Sequence, residues 1–188
     1  MTEATRKDRI LIVADKLFRH YGPQKTTMAD IAREANVGVG SVYLDFPSKE
    51  AILYELSRKR GRTVASMMVS AGEGSRHPER LRRMLEARVV ALLILAGEGA
   101  HACDIVHCAP KQPPGFGDEA RELIRAEIEA GVESGELACE VDPTVRAIEA
   151  AFLALSPPSL FRFERGVAAE LAETVARLVV YGALGSRR

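Results

Sequence analysis

Residues 25–53, KTTMADIAREANVGVGSVYLDFPSKEAIL, hold three helix starts in fewer than thirty positions. Thr27 precedes an apolar-periodic run and is followed three residues on by Asp30, the pattern of a capping box with Asp in place of Glu. Ser48 opens another run, with Glu50 in its first turn, where the helix dipole favours negative charge. Between them a helix over 38–46 begins Gly38, Val39, Gly40, Ser41, with little bulk and no charge. Asn36-Val37 separates it from the helix over 27–35, the size of connection a helix-turn-helix uses. At roughly 100° per residue, Val42 and Phe46 share one face, while Ile31, Ala32 and Ala35 supply the inward face of the helix before and Val37 plugs the turn. Opposite Val42 lie Gly40, Ser41 and Leu44, with Tyr43 and Asp45 on the flanks. The outward face is nearly bare at its N-terminal end. That suits close backbone approach to a DNA major groove, where the first residues of a recognition helix meet base edges. The plainer alternative is a short helix of an all-α bundle with no nucleic-acid role.

Helical periodicity continues on both sides. Ile10, Ala14, Leu17, Phe18 and Tyr21 form one stripe, ended by Gly22-Pro23. Downstream, helices are expected over 48–70, 78–97, 101–108, 118–134, 143–156 and 164–183, separated by Gly-, Pro- or Ser-rich breaks. No stretch alternates with period two, so the expected fold is all-α, about nine helices, without a sheet. The chain of 188 residues is 47% apolar, enough for a sizeable core. Its net charge is zero, yet residues 1–62 carry twelve Lys/Arg against eight Asp/Glu and the remainder fourteen against eighteen. A basic first third on an acidic remainder suggests two jobs. The most apolar run, Val89 to Ala96, falls far short of the roughly 20 residues that span a bilayer. The start MTEATRKDRI is charged, and Cys103, Cys108 and Cys139 form no disulfide framework. These features predict a reduced, cytoplasmic protein without a membrane partner.

The run from Thr27 to Leu53, with Ala14, Phe18 and Gly22 before it, resembles the signature of tetR-family transcriptional repressors over residues 8–55. The resemblance implies a helix-turn-helix DNA-binding domain at 1–47 and a ligand-binding and dimerisation domain at 48–188. By position it makes Thr27, Tyr43 and Lys49 phosphate contacts, and Met28, Ala29, Val39, Gly40, Ser41 and Leu44 the groove-facing set. The chemistry agrees, since Thr and Tyr hydroxyls donate to phosphate oxygens and Lys49 adds positive charge beside the helix that Ser48 opens. Asp45 departs from the family's pattern: a carboxylate near phosphates is repelled unless it pairs with Lys49 or accepts from a cytosine amino group. The groove-facing positions of helix 38–46 include no Arg, Lys, Asn or Gln, so they predict few strong base-specific hydrogen bonds and a reliance on thymine-methyl contacts and DNA shape. Arg6, Lys7 or Lys25 could reach a groove from outside that helix.

For the rest of the chain the resemblance implies a small-molecule effector pocket and a homodimer bound to double-stranded operator DNA. Helix 143–156 presents Val145, Ile148, Ala151, Phe152 and Leu155, and helix 164–183 presents Val167, Leu171, Val175, Leu178, Val179 and Tyr181. Ile148, Phe152, Leu171, Val175 and Leu178 are the expected dimer contacts, with one monomer's core as the alternative. Met67, Met68, Met84, Leu85, Arg88, Leu92, Phe116 and Phe152 are the pocket candidates, against a reading as plain core. In HACDIVHCAP, residues 101–110, a helix sets Cys103 with His107, and Asp104 with Cys108, at i,i+4. A metal site needs three or four such ligands converging at about 2.0–2.3 Å, and no CxxC or HxxxH pattern supports one. Metal or redox sensing through Cys103, His107 and Cys108 is therefore the alternative to an organic effector. No cofactor motif and no nucleophile–base–orienter arrangement is legible, so no enzymatic activity is expected.

Overall fold

The computed structural model describes residues 5–107 and 117–183; Cys108 and Phe116 lie outside them. Among the described residues there are nine α-helices and no strand: α1 Arg6–Tyr21, α2 Met28–Glu34, α3 Val39–Asp45, α4 Lys49–Gly72, α5 His77–Ala96, α6 Asp104–His107, α7 Asp118–Glu133, α8 Val141–Ala151 and α9 Arg165–Arg177. A 3-10 turn covers Ser159–Arg162, and a π-helical segment, Leu178–Ala183, continues α9. No helix among them is long and apolar enough to cross a membrane.

The chain divides into two compact units. The first comprises Met1–Arg60 with Leu95–Phe116, and the second Gly61–Ile94 with Gly117–Arg188. The first unit thus joins the N-terminal helices to a later segment of the chain.

The core of the first unit is built from the periodic positions. Ile10, Ala14 and Phe18 of α1, Ile31 and Ala32 of α2, Val42 of α3 with Phe46, and Ile52, Leu53 and Leu56 of α4 are buried together. Ile105 of α6 closes the same cluster. Each large side chain so buried contributes about 1.5–3 kcal/mol by removal from water. Tyr21, expected on the α1 stripe, is exposed because α1 ends there, with Gly22 at φ 85° and its amide donating to the Phe18 carbonyl at 3.0 Å. Arg60 is only 6 % exposed and ties three segments of this unit together. Its guanidinium donates to Asp15 of α1 at 3.2 Å, to Glu98 at 3.3 Å and to the Leu95 carbonyl at 3.4 Å.

In the second unit Leu81, Leu85 and Val89 of α5, Ile124 and Ile128 of α7, and Val145 and Ile148 of α8 are buried. Glu127 is a buried carboxylate paired with His77 at 2.8 Å and Arg80 at 3.1 Å. The helix expected over 143–156 stops at Ala151. Phe152 leaves helical geometry at φ −92° and ψ 7°, and beyond it tight turns, with the Leu153 amide donating to the Ala150 carbonyl and the Ser156 amide to the Leu153 carbonyl, carry the chain to Pro157. On α9 the small residues Ala168, Ala172 and Ala176 face inward, while Val167 and Leu178 are exposed and Leu171 and Val175 half-buried.

Candidate nucleic-acid interface

The angle between α2 and α3 is set by a helix stop, not by the glycines. Ala35 ends α2, and Asn36 takes φ 53°, the left-handed conformation that Asn tolerates better than most residues. The Asn36 amide donates to the Arg33 carbonyl at 3.2 Å and the Val37 amide to the Ala32 carbonyl at 3.0 Å. This is the Schellman pair of bonds, and Val37 packs against the core beside it. The N-terminus of α2 is held as expected. Thr27 accepts from the Asp30 amide at 3.1 Å, and Asp30 accepts from the Thr27 amide at 3.0 Å and its hydroxyl at 2.6 Å. Those bonds from Thr27, with one from Arg33, hold the Asp30 carboxyl below its ordinary range.

With that angle fixed, α3 turns Val42 and, just past its end, Phe46 into the core and its other face outward. Val39, Gly40, Tyr43 and Leu44 are exposed, Leu44 at 82 %, and Ser41 is half-buried among them. The glycines have no role inside the molecule. Gly38 caps α3 with φ −66°, which any residue adopts, and a Cβ on Gly40 would meet nothing within 4 Å. The bareness of the helix start faces only the outside.

The remaining positions divide. Ala29 is exposed on the first turn of α2, and Thr27 is exposed but already gives its one hydroxyl proton to Asp30, so a phosphate must take that proton over. Met28 does not join the outward set: at 8 % exposure it belongs to the core cluster, because α2 turns its first residue inward under α1. Lys49 is half-buried, and its ammonium donates to the Thr26 carbonyl at 3.2 Å, which places its charge next to Thr27. Asp45 finds neither Lys49 nor an open groove edge. Arg6 clamps it from both sides, Nε to Oδ2 at 2.7 Å and Nη2 to Oδ1 at 2.9 Å, and holds the carboxyl below its ordinary range. Neither residue pattern nor spacing points to that pair, whose members lie 39 positions apart. Lys7 stands over the Phe46 ring, 5.1 Å from its centre.

The second unit holds a cavity of about 260 Å³ between α5, α7 and α8, lined by Arg88, Arg121, Ile124, Val145, Ile148 and Ser156 among others. Of the effector contacts expected from the sequence, Arg88 lines it. Met68, Met84, Leu85, Leu92 and Phe152 are buried core side chains outside that lining, and Met67 is half-buried. Ile148 and Phe152, expected at a dimer seam, are instead sealed inside their own chain at 1 % and 0 % exposure. Among the described residues no three His, Cys, Asp or Glu side chains are grouped to hold a metal ion. Cys103 is half-buried, and burial with Asp104 beside it pushes its thiol up, away from the reactive thiolate. His101 pairs with Asp104 at 2.8 Å.

Comparison with known proteins falls on this interface first. A family model described as bacterial regulatory proteins, tetR family, matches residues 10–56. An uncharacterized HTH-type transcriptional regulator of Bacillus subtilis (strain 168), YhgD, is 43% identical over 51 residues, 27% of each chain. The HTH-type transcriptional regulator HbdR of Aromatoleum sp. (strain CIB) is 38% identical over 77 residues, 40% of this chain and 34% of that protein. These alignments thus span about a quarter to a third of the curated relatives' own lengths. The crystal structure of a TetR family transcriptional regulator, PfmR from Thermus thermophilus, overlays 96% of this chain on 97% of its own, with TM-score 0.62 and 27% identity. With residues 10–56 matching the family model and its helical order shared along nearly the whole of a family structure, the chain carries the N-terminal domain of the tetR family of bacterial regulatory proteins on an all-helical fold like that of a family member.

Proposed function

We propose that the protein is a sequence-specific DNA-binding transcriptional regulator, a homodimeric repressor that leaves its operator when a small molecule occupies the second unit. One observation carries the DNA-binding reading: α3 begins with glycines that the fold does not need and exposes that bare start to solvent. A backbone that approaches base edges needs such a surface. Thr27, Tyr43 and Lys49 act on phosphates and set the register, while Ala29, Val39, Gly40, Ser41 and Leu44 face the groove. Without a bidentate hydrogen-bonding side chain on α3, thymine methyls and DNA shape carry much of the discrimination. The likeness to YhgD, HbdR and PfmR, each named a transcriptional regulator, supports the same reading.

The dimer reading rests on α9 and the start of the segment that continues it, where exposed Val167 and Leu178 and half-buried Leu171 and Val175 follow one stripe while alanines fill the inner face. A two-fold dimer sets two copies of α3 into successive major grooves about 34–36 Å apart. An effector that favours another spacing of the two weakens binding by the ratio of its affinities for the two forms.

The test separates folding from binding at Gly40. Operator fragments are first selected from genomic DNA, and affinity is then measured by fluorescence anisotropy. Gly40→Ala should raise thermal stability, since Ala is favoured over Gly in a helix by about 1 kcal/mol. Gly40→Leu should fold equally well and bind DNA much more weakly. A Gly40→Leu protein with parental operator affinity would show that α3 does not approach DNA by its bare face.

A further inference from the structure

The cavity of the second unit holds a cation that makes no direct ion pair among the described residues; the Glu149 carboxylate acts on it only through space. Arg88 reaches it from α5 and donates from Nη2 to Ser156 Oγ at 3.1 Å, and the Ser156 hydroxyl in turn donates to the Phe152 carbonyl at 2.9 Å. Among the described residues no carboxylate lies within ion-pair distance of Arg88. The other arginine of the lining, Arg121, is already closed by Glu149, to which its Nε donates. The remaining walls are apolar: Ile124, Val145, Ile148 and Leu153. A part-buried guanidinium without a hydrogen-bonded counter-ion is costly, and a planar carboxylate matches its fork of donors.

We propose that this cavity binds a small monocarboxylate, its carboxylate on Arg88 and its apolar body against Ile124, Val145, Ile148 and Leu153. This rests on the effector reading above and names the ligand's class. The volume of about 260 Å³ lies below the roughly 300–1,000 Å³ of sites for drug-sized molecules, so the occupant is small. Glu149 on the lining decides the charge: a single carboxylate is matched by Arg88, whereas a phosphate dianion also meets the Glu149 carboxylate. Burial lowers the Arg88 pKa, which is the direction expected of a cation stripped of water and waiting for an anion.

The full-length protein is titrated calorimetrically with hexanoate and benzoate, and with hexan-1-ol, hexylamine and hexyl phosphate as probes of matched body and different head. Hexanoate or benzoate should bind saturably, and the alcohol, amine and phosphate should not compete. Arg88→Gln should weaken carboxylate binding about tenfold or more, the scale of a lost charged hydrogen-bond pair, with an unchanged circular dichroism spectrum. Glu149→Gln should tighten carboxylate binding several-fold and admit hexyl phosphate, a gain that misfolding cannot imitate and that decides the matter if Arg88→Gln is unstable. The proposal is overturned if neither acid binds at millimolar concentration, if hexan-1-ol binds as tightly as hexanoate, or if Glu149→Gln leaves both heads unaffected. Carboxylate binding through Arg88 without any change in operator affinity would uphold the site and overturn the effector reading. Operator release by a neutral or cationic compound alone would do the reverse.

Discussion

Removing Asp45 should make the protein a tighter DNA binder. Arg6 spends both arms of its guanidinium on that carboxylate, at 2.7 and 2.9 Å, at the C-terminal end of α3, the helix proposed to face DNA. In Asp45→Ala the carboxylate is gone and Arg6 is free to neutralise a phosphate. Each neutralised phosphate makes affinity vary as salt to the power of about −0.9, so one new contact multiplies affinity by about eight at 0.1 M salt, about four at 0.2 M and not at all at 1 M. A homodimer with one such contact in each protomer compounds this to about sixty-fold at 0.1 M, and its salt slope steepens by about 1.8. Stability should change little, because Arg6 is 44 % exposed in this pair and exposed ion pairs contribute little. The assay is anisotropy on operator and on random DNA across a salt series, with Arg6→Ala and the double variant alongside. Arg6→Ala should bind more weakly than the parent, since it leaves an unpaired carboxylate at the interface. The double variant should lose the gain. An Asp45→Ala protein with the parental slope would refute the reasoning, since Arg6 would then stand away from DNA with or without its partner.

Asn36→Gly should keep parental stability and DNA affinity, whereas Asn36→Ala should lose about 1–2 kcal/mol in urea unfolding, the cost of the left-handed conformation for a residue with a plain Cβ. A Leu171→Glu or Leu178→Glu protein should sediment as a folded monomer with reduced operator affinity, because Leu178 at 64 % exposure and Leu171 beside it sit on the outer stripe of α9; a monomeric parent at micromolar concentration would remove the basis of that expectation. Glu79 is held well below the usual carboxylate range by Arg82 first, then Arg83 and the Tyr181 hydroxyl. A carboxyl whose folded pKa is depressed stabilises above its unfolded value and loses that contribution as pH falls toward the folded one. The melting-temperature gap between the parent and Glu79→Gln should therefore be constant above about pH 5 and shrink progressively below about pH 4. A gap independent of pH would show that Glu79 acts through packing.

What the sequence makes legible is what repeats locally. The capping box at Thr27 and Asp30, the inward Ile31, Ala32, Val42 and Phe46, and the exposed Leu44 all follow from helix period and cap chemistry within a few residues. Met28, Ile148 and Phe152 escape that reading because a helix's period does not say which neighbour covers which side. Ile148 and Phe152 lie on an apolar face that suits a partner's helix as well as their own chain's core, and only the packing decides. Long-range polar pairs leave no local trace at all. Arg6 with Asp45 and Arg60 with Glu98 join residues 39 and 38 positions apart, and any acidic residue brought near would have served. Pro157-Pro158 marks where the helix over 143–156 must have ended, but not that it stops at Ala151, five residues before the residue the proline restricts.

The interrupted first unit has a consequence for how the protein is made. α1, α2, α3 and the start of α4 leave the ribosome first, but Ile105, which completes their core, and Glu98, which joins Asp15 on Arg60, are encoded about forty residues later. At roughly 5–20 residues per second, translation of the intervening segment takes a few seconds. During that interval α1, α2 and α3 are already synthesised while their core still lacks Ile105, and Arg60 still lacks an acceptor. A gene fragment cut after residue 60 leaves its product in that state permanently, so an expressible DNA-binding fragment should carry residues 95–107 with it, joined back across the gap by a short linker.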